Sequence, residues 1–369
     1  MSGIQERKLN HLRISLEENV QGDLPTGFQD VRLIHRSLPE LDLKEVDPSI
    51  DLFGRRLSAP LIISAITGGT KKAKEINFEL AKIAEKKRIG ICVGSQRVAI
   101  DYPETRETFS IVREIAPNTL VMGNIGCPQL VKGWGVEEIK ESIYMLDADA
   151  MSLHMNPLQE AIQLGGDTDY RGILEKIKVI TSSIEKPIIM KETGCGVSYE
   201  DALAMEKAGV QGLEIAGVGG TSWSAVEYHI AKEAGQKDRE YLGKALWNWG
   251  IPTAVSVVET SMKTNLMIIA SGGIRTGLEM AKSIVLGGNA VGIAKPFLDK
   301  AVGGEEYLDA YIDMLIQELK VVMFLVGARN VDELKKKPAV ILGRTGEWLK
   351  LRGIDISKYA RRISNFYLS

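Results

Sequence analysis

Eight short apolar runs recur along the chain, and each leads into small or polar residues. The segments between them place apolar side chains three and four positions apart, as in residues 74–84, which is the period of an amphipathic helix. Strands buried on both faces read as continuous apolar runs, and a strand–helix–strand repeat forces parallel pairing. We therefore predict an α/β chain that closes into a single (β/α)₈ TIM barrel. The runs are Leu61–Ile63, Ile89–Val93, Leu120–Met122, Ala150–Leu153, Pro187–Met190, Gly212–Ile215, Met267–Ala270 and Ala290–Ile293.

The length of the chain suits one elaborated barrel. Such barrels use about 250 residues and tolerate insertions beyond about 400, and this chain has 369. We expect a single domain with an N-terminal extension (1–60), a barrel core (61–300) and two or three extra C-terminal helices (301–369). Residues 217–255, after the sixth run, combine glycines, tryptophans and a charged stretch. We interpret them as a long loop or lid plus a helix.

The charge balance and the cysteine content restrict what the protein can bind. With 46 basic and 48 acidic side chains the net charge is −2, so no overall field attracts the chain to nucleic acid or anionic lipid. The longest apolar runs, such as Val321–Val326, are too short for a membrane span, and the polar N-terminus lacks a signal-peptide core. Three cysteines without paired spacing are typical of a reducing compartment. We expect a cytoplasmic protein that binds a small molecule, and neither nucleic acid nor membranes.

Polar side chains follow nearly every predicted strand. In a (β/α)₈ barrel the active site is built from the loops at the carboxyl ends of the strands. The face that these loops form is therefore expected to be catalytic. The residues include Thr67, Ser95, Arg97, Asn124, His154, Asn156, Lys191, Thr221 and Lys295.

The clearest single motif is a glycine loop, Ser271–Arg275, after the seventh run, joined by Ala294 and Lys295 after the eighth. Glycines let backbone N–H groups approach an anion closely, and the following helix directs its positive end towards it. Barrels commonly bind phosphate after strands seven and eight. The two loops predict a phosphate site, and a glycine needed only for a tight turn is the simpler alternative.

Other residues at the strand ends have more than one explanation. Lys191 is compatible with neutralising a reduced flavin ring, with Schiff-base formation, or with a salt bridge to Glu192 or another carboxylate. His154 is compatible with a buried packing role, although the polar residues that follow it favour a functional one. Glu160 either complements the dipole of a helix that starts at Pro157 or binds Mg²⁺ together with a substrate phosphate.

Taken together, the motifs resemble those of the type 2 isopentenyl-diphosphate isomerases, over nearly the whole chain and in the same order and spacing. The basic pair Arg7-Lys8 belongs to this pattern, although by itself it is typical of a solvent-exposed N-terminus. The motifs are Arg7-Lys8-x-x-His11, Thr67-Gly68-Gly69, Gly94-Ser95-Gln96-Arg97, Asn124-Ile125-Gly126, His154-Met155-Asn156-Pro157-Leu158-Gln159-Glu160, Lys191-Glu192-Thr193-Gly194-Cys195-Gly196 and Ser271-Gly272-Gly273-Ile274-Arg275.

The resemblance implies an FMN-dependent homo-tetramer or homo-octamer that interconverts isopentenyl and dimethylallyl diphosphate in isoprenoid biosynthesis. It also implies Mg²⁺ on the diphosphate, and NADPH or NADH as the reductant of the flavin. Moving the double bond requires adding a proton to one carbon of an unactivated alkene and removing one nearby, a task for which ordinary side-chain acids are poorly matched. Reduced FMN is implied to mediate this transfer through the N5 region of its ring.

The resemblance also assigns expected roles to individual residues. Gln159, His154 and Lys191 are expected to be catalytic, and Glu160 to bind the metal. The expected substrate-binding residues are Arg7, Lys8, Ser95, Arg97, His154, Asn156 and Gln159. The expected FMN-binding residues are Ala65, Ile66, Thr67, Ser95, Asn124, Lys191 and Thr221 around the ring, and Gly273, Ile274, Arg275, Ala294 and Lys295 at the phosphate.

Two other functions are alternatives to the isomerase activity. An FMN-dependent 2-hydroxyacid oxidase shares the barrel and the glycine loop, but such enzymes place a catalytic histidine just after strand six, where this chain has Gly217-Val218-Gly219-Gly220-Thr221-Ser222. The second alternative is a barrel that binds a phosphorylated ligand without catalysing a reaction. The polar residues at the strand ends argue against it.

Overall fold

The structure is a computed structural model and describes residues 3–362. Eight parallel strands pair in chain order and close into a barrel, because the last strand also pairs with the first through Val291 and Leu61. Each predicted run overlaps one strand, which confirms the predicted fold class. The strands are β1 Leu61–Ile63, β2 Gly90–Cys92, β3 Val121–Gly126, β4 Ala150–His154, β5 Ile188–Lys191, β6 Gly212–Glu214, β7 Met267–Ser271 and β8 Ala290–Ile293.

Helices alternate with the strands. Their starts are fixed by side-chain caps where the barrel turns from strand to helix: Thr70, Ser198 and Thr276 each accept a hydrogen bond from a backbone N–H three residues on. The helices are Lys71–Lys87, Arg97–Asp101, Glu107–Ile115, Pro128–Val131, Val136–Leu146, Pro157–Ile162, Ile173–Ser183, Tyr199–Lys207, Trp223–Glu233, Lys237–Ala245, Thr253–Lys263 and Gly277–Val285.

The segment after β6 is more helical than its glycines and charges indicated. It holds the helices Trp223–Glu233 and Lys237–Ala245 before the helix Thr253–Lys263 begins. The Ser222 hydroxyl caps the first of them, and the Ser224 hydroxyl donates to the Gly243 carbonyl oxygen at 2.8 Å, which ties the first two helices together. The segment therefore holds more helix than the predicted long loop or lid plus one helix, because both helices are rich in alanine, glutamate and lysine, which favour helical structure.

The described segments before β1 and after β8 both pack on the barrel. The helix Gly3–Glu17 reaches the loops that follow β1 and β2, and the short strand Val31–Leu33 pairs antiparallel with Ala339–Ile341. The described part of the chain beyond β8 has five helices rather than two or three, because two of them are too short to show a period. They are Lys295–Gly303, Glu305–Leu325, Val331–Lys335, Gly343–Leu351 and Ser357–Ala360, and the N-terminal segment adds 3₁₀ turns at Phe28–Asp30 and Leu43–Glu45. No helix within residues 3–362 is long and apolar enough to cross a membrane.

An antiparallel hairpin, Ile50–Leu52 with Arg55–Leu57, closes the end of the barrel opposite the active-site face. Its apolar residues Leu52 and Leu57 belong to one buried cluster with residues at the starts of several barrel strands, among them Ala150 and, just before β3, Leu120. This apolar plug leaves the other end of the barrel to form the site.

We expect the substitution Leu57→Ala to lower the free energy of unfolding by about 2–5 kcal/mol, because it leaves a cavity at a fully buried position. Urea unfolding checks this. The matched control is Leu351→Ala, at a leucine that is 82% exposed, and we expect a change within about 0.5 kcal/mol there. Equal stability of the two variants would show that the hairpin does not seal the barrel.

Candidate active site

A large cavity opens at the carboxyl ends of the barrel strands, and the N-terminal helix Gly3–Glu17 contributes to its wall. Counted with the open space at its mouth, its empty volume is about 1770 Å³. The cavity brings together every residue that the sequence predicted for the site. They are Arg7, Lys8, Ala65, Ile66, Thr67, Ser95, Arg97, Asn124, His154, Asn156, Gln159, Glu160, Lys191, Thr221, Gly273, Ile274, Arg275, Ala294 and Lys295.

The glycine loop after β7 presents backbone donors. Gly273 has a φ of 76°, a conformation that glycine adopts without strain, and an added Cβ would lie 2.3 Å from the Gly219 carbonyl oxygen. The N–H groups of Gly273 and Ile274 donate to no acceptor within residues 3–362, whereas the N–H of Arg275 donates to Glu279. The loop is thus packed so tightly that only glycine fits, and it leaves two N–H groups for an anion.

The loop after β8 adds a helix N-terminus. The helix Lys295–Gly303 has no side-chain cap, and its first residues line the cavity. The Lys295 ammonium pairs with Asp299 one turn along the helix, at 2.8 Å. The backbone of this helix, rather than the lysine side chain, therefore faces the anion position next to the glycine loop.

Lys191, at the end of β5, lies in a buried charge network. Its ammonium is 3.1 Å from the carboxylate of Glu214, the register partner on β6, and it donates to the backbone oxygen of Glu192 at 2.9 Å. The salt-bridge alternative from the sequence is thus realised, with Glu214 as the partner rather than Glu192. The Glu192 carboxylate instead accepts three N–H groups of its own loop, and burial raises its pKa to about 7 against their opposing effect.

A basic cluster occupies another part of the cavity wall. The Lys8 ammonium donates to the backbone oxygens of Ser95 at 2.7 Å and Gly68 at 3.1 Å. Burial, together with the positive charges of Arg7 and Arg97, lowers the pKa of Lys8 to about 7. Such a cluster is costly without a counter-anion, so this part of the wall is suited to a strongly charged ligand.

His154 at the end of β4 is held as a neutral ring. Burial and the charges of Lys191 and Lys8 lower its pKa to about 3. Its Nδ1 lies 2.7 Å from the Asn124 side-chain oxygen, which can only accept, so we assign the proton to Nδ1. The Nε2 lone pair is then left for the cavity.

The helix Pro157–Ile162 carries a hydrogen-bonded amide and carboxylate cluster. The Asn156 amide donates to the side-chain oxygens of Gln159 at 3.0 Å and Glu160 at 2.9 Å. The other Glu160 oxygen accepts the Asp167 N–H at 2.7 Å and the Gln163 amide at 3.3 Å. Within residues 3–362 no three His, Cys, Asp or Glu side chains gather as a metal site. Glu160 is thus a fixed, single carboxylate at the cavity wall.

Two functional candidates, Glu227 and Glu214, were not predicted from the sequence. Glu227 is buried and accepts from the Gln159 amide at 3.0 Å, with His11 Nε2 also 3.0 Å away, so it joins the N-terminal helix to the amide cluster. No local signal marks Glu227, because it lies in the segment interpreted as a long loop or lid plus a helix, where charged residues are usually solvated. Glu214 did leave a signal, since it is a charged residue inside an apolar run.

The comparisons with known proteins agree with this geometry. Residues 152–341 match the FMN-dependent dehydrogenase family. Among solved structures, a flavocytochrome b2 mutant superposes with a TM-score of 0.61 at 18% identity, covering 96% of this chain and 85% of its own. A mandelate oxidase mutant superposes with a TM-score of 0.58 at 15% identity, covering 92% and 100%. These likenesses show the fold, and the match to the family defines an FMN-dependent barrel protein.

Sequence relatives identify the family within the class of FMN-dependent barrel proteins. An isopentenyl-diphosphate delta-isomerase of Methanothermobacter thermautotrophicus is 45% identical over 97% of this chain and 99% of its own. That of Pyrococcus furiosus is 46% identical over 96% and 91%, and that of Methanosarcina barkeri is 44% identical over 98% of each. The chain belongs to the isopentenyl-diphosphate delta-isomerase family, which confirms the resemblance found in the sequence.

Proposed function

We propose that this enzyme interconverts isopentenyl and dimethylallyl diphosphate in isoprenoid biosynthesis, with reduced FMN in the cavity and Mg²⁺ on the diphosphate. The observation that carries the proposal is that two anion-binding regions share one cavity. The glycine loop with its neighbouring helix start forms one, and the cluster of Arg7, Lys8 and Arg97 beside Glu160 forms the other. An oxidase acting on a small hydroxy acid needs no second polyanion region, whereas a diphosphate isomerase does.

The cavity fits FMN at the first region. Its phosphate would meet the free N–H groups of Gly273 and Ile274 and the helix start at Ala294 and Lys295, with the Arg275 guanidinium nearby. Reduced FMN supplies, at the N5 region of its ring, a place where a proton can be given to and taken from the substrate. The residues around the ring would be Ala65, Ile66, Thr67, Ser95, Asn124, Lys191 and Thr221, all on the cavity wall.

The second region fits a diphosphate with Mg²⁺. Magnesium usually takes one or two protein carboxylates and completes its shell with water and substrate phosphates, so a lone Glu160 is a suitable ligand. Arg7, Lys8, Ser95, Arg97, His154 and Asn156 would hold the phosphate oxygens. Glu160 Oε1 accepts one hydrogen bond, from Asn156, and keeps a lone pair that a metal ion could take, whereas Oε2 already accepts two.

The catalytic work of the chain is positioning, charge stabilisation and exclusion of water. The Lys191 ammonium, which lines the cavity, would stabilise the negative charge of a reduced ring bound there. Gln159, which is tied to Asn156 and Glu227, would border the hydrocarbon end. The neutral His154 ring has a lone pair at Nε2 towards the cavity, and a diphosphate bound beside it would raise its pKa.

The direct test is an anaerobic assay with FMN reduced by NADPH or NADH, Mg²⁺ and isopentenyl diphosphate, in which dimethylallyl diphosphate is measured. Product formation that depends on both reduced FMN and Mg²⁺ is expected. A protein that forms no product, or one that reduces its flavin with a 2-hydroxy acid, would refute the proposal. The same preparation tests the proposed homo-tetramer or homo-octamer by light scattering.

We expect Arg7→Ala to raise the KM for isopentenyl diphosphate by roughly 10- to 100-fold, the loss of about one charge-assisted hydrogen bond. FMN affinity stays unchanged because Arg7 lies in the basic cluster and not at the glycine loop. The matched control is Arg13→Ala on the same helix, whose guanidinium pairs with Glu17 and Glu233 outside the cavity. If the two variants had the same KM, Arg7 would be an ordinary surface residue.

A further inference from the structure

A buried ion pair forms part of the cavity floor inside the barrel. Glu214 is 1% exposed, and its Oε1 is 3.1 Å from the Lys191 ammonium. The same oxygen accepts a hydrogen bond from the Ser64 hydroxyl at 2.6 Å. Ser64 follows β1, which is not a neighbour of β5 or β6 in the barrel, so this contact spans the barrel interior.

The strand next to β1 makes room for this contact. Gly292 lies in β8, and a Cβ at that position would be 2.4 Å from the Ser64 hydroxyl and 3.1 Å from Glu214 Oε1. A larger residue would therefore displace both groups. The fold thus reserves space for a carboxylate at this point of the floor, although a buried carboxylate is costly to desolvate.

The pair also fixes the direction of the lysine. Within the described residues the Lys191 ammonium donates to the Glu192 carbonyl oxygen and forms an ion pair with Glu214 Oε1 at 3.1 Å. Because an ammonium has three N–H groups, it can still donate into the cavity, which Lys191 also lines. The carboxylate holds the ammonium in place and cancels part of its charge.

We propose that Glu214 is a positioning residue that holds Lys191 at the flavin and limits the positive charge that the flavin ring meets. This inference rests on the proposed function, because it requires FMN at the glycine loop. With Glu214 in place the floor is a neutral pair, and the ring can change charge without meeting an unbalanced cation. Without the carboxylate, the floor favours the reduced, more negative flavin over the oxidised one.

The test is the substitution Glu214→Gln, which keeps the shape and an oxygen acceptor for Ser64 but removes one negative charge. We expect the ratio of the dissociation constants of oxidised and reduced FMN to rise by about tenfold or more, as a unit charge a few ångströms away implies. The two-electron reduction potential of the bound FMN would then become more positive by about 30 mV or more. Equilibrium titration against a reference dye measures it without any turnover.

Three further variants make the result specific. Ser64→Ala leaves both charges in place, so we expect the ratio to stay within about twofold of the wild type. Lys191→Met removes the cation and should lower the ratio. Glu214→Asp shortens the side chain by one methylene and so moves the negative charge away from Lys191. It should raise the ratio by less than Glu214→Gln, and it replaces that variant in the test if Glu214→Gln does not fold.

The two proposals fail in different ways. A protein that binds no FMN and forms no dimethylallyl diphosphate would remove the proposed function itself. If FMN binds and the isomerase is active, but Glu214→Gln and Glu214→Asp leave the potential unchanged or make it more negative, only the role of Glu214 is refuted.

Discussion

Replacing Glu160 by glutamine is expected to lower kcat/KM for isopentenyl diphosphate by roughly 10²- to 10³-fold at a fixed Mg²⁺ concentration, a loss of about 3–4 kcal/mol of transition-state stabilisation. The amide keeps the size of the side chain but has no negative charge for a hard cation. FMN affinity should not change, because the glycine loop is on the other side of the cavity. The checks are the Mg²⁺ dependence of the rate and an FMN titration of the same variant.

The control lies in the same part of the chain. Asp169 pairs with Arg171 in the loop that follows the helix of Glu160, and it does not line the cavity. Asp169→Asn makes the same chemical change and should leave both the Mg²⁺ dependence and the rate unaltered. A Glu160→Gln enzyme with the Mg²⁺ response of the wild type would exclude Glu160 as the metal ligand.

The barrel and the floor of the site could be predicted from the sequence because both follow from local patterns. Each strand is a short apolar run that ends in polar residues, and closure brings all eight ends to one face. Residues as distant as Ser95, Lys191 and Ile274 therefore had to meet. The placement of Lys191 on a strand end needed no knowledge of its partners.

What the sequence did not provide is long-range pairing. Glu227 contacts Gln159 and His11 from the helix Trp223–Glu233, and nothing in the sequence around Glu227 indicates either partner. Glu214 stands out as a charge within an apolar run. Whether its carboxylate is paired depends on which strand lies beside it and on the space that the other strands leave inside the barrel. That space comes from Gly292, whose role is visible only once the barrel is closed.

The largest loss of FMN affinity is expected from a substitution in the glycine loop. In Gly273→Ala the new Cβ would lie 2.3 Å from the Gly219 carbonyl oxygen and 2.5 Å from the Thr26 side chain, at a φ of 76°. The loop must move, and the N–H groups of Gly273 and Ile274 move with it. Two charge-assisted hydrogen bonds of about 1.5–3 kcal/mol each are at stake, so the dissociation constant of FMN should rise by about 10²-fold or more.

A glycine of nearly the same conformation separates loop geometry from backbone strain. Gly54, in the hairpin at the other end of the barrel, has a φ of 79°, and an added Cβ there meets no atom within 4 Å. Gly54→Ala should cost about 1–2 kcal/mol of stability from the left-handed backbone alone and leave FMN affinity as it was. Flavin fluorescence titration and urea unfolding of both variants measure the two effects separately. Equal FMN affinity in Gly273→Ala and Gly54→Ala would mean that the backbone of this loop does not bind the phosphate.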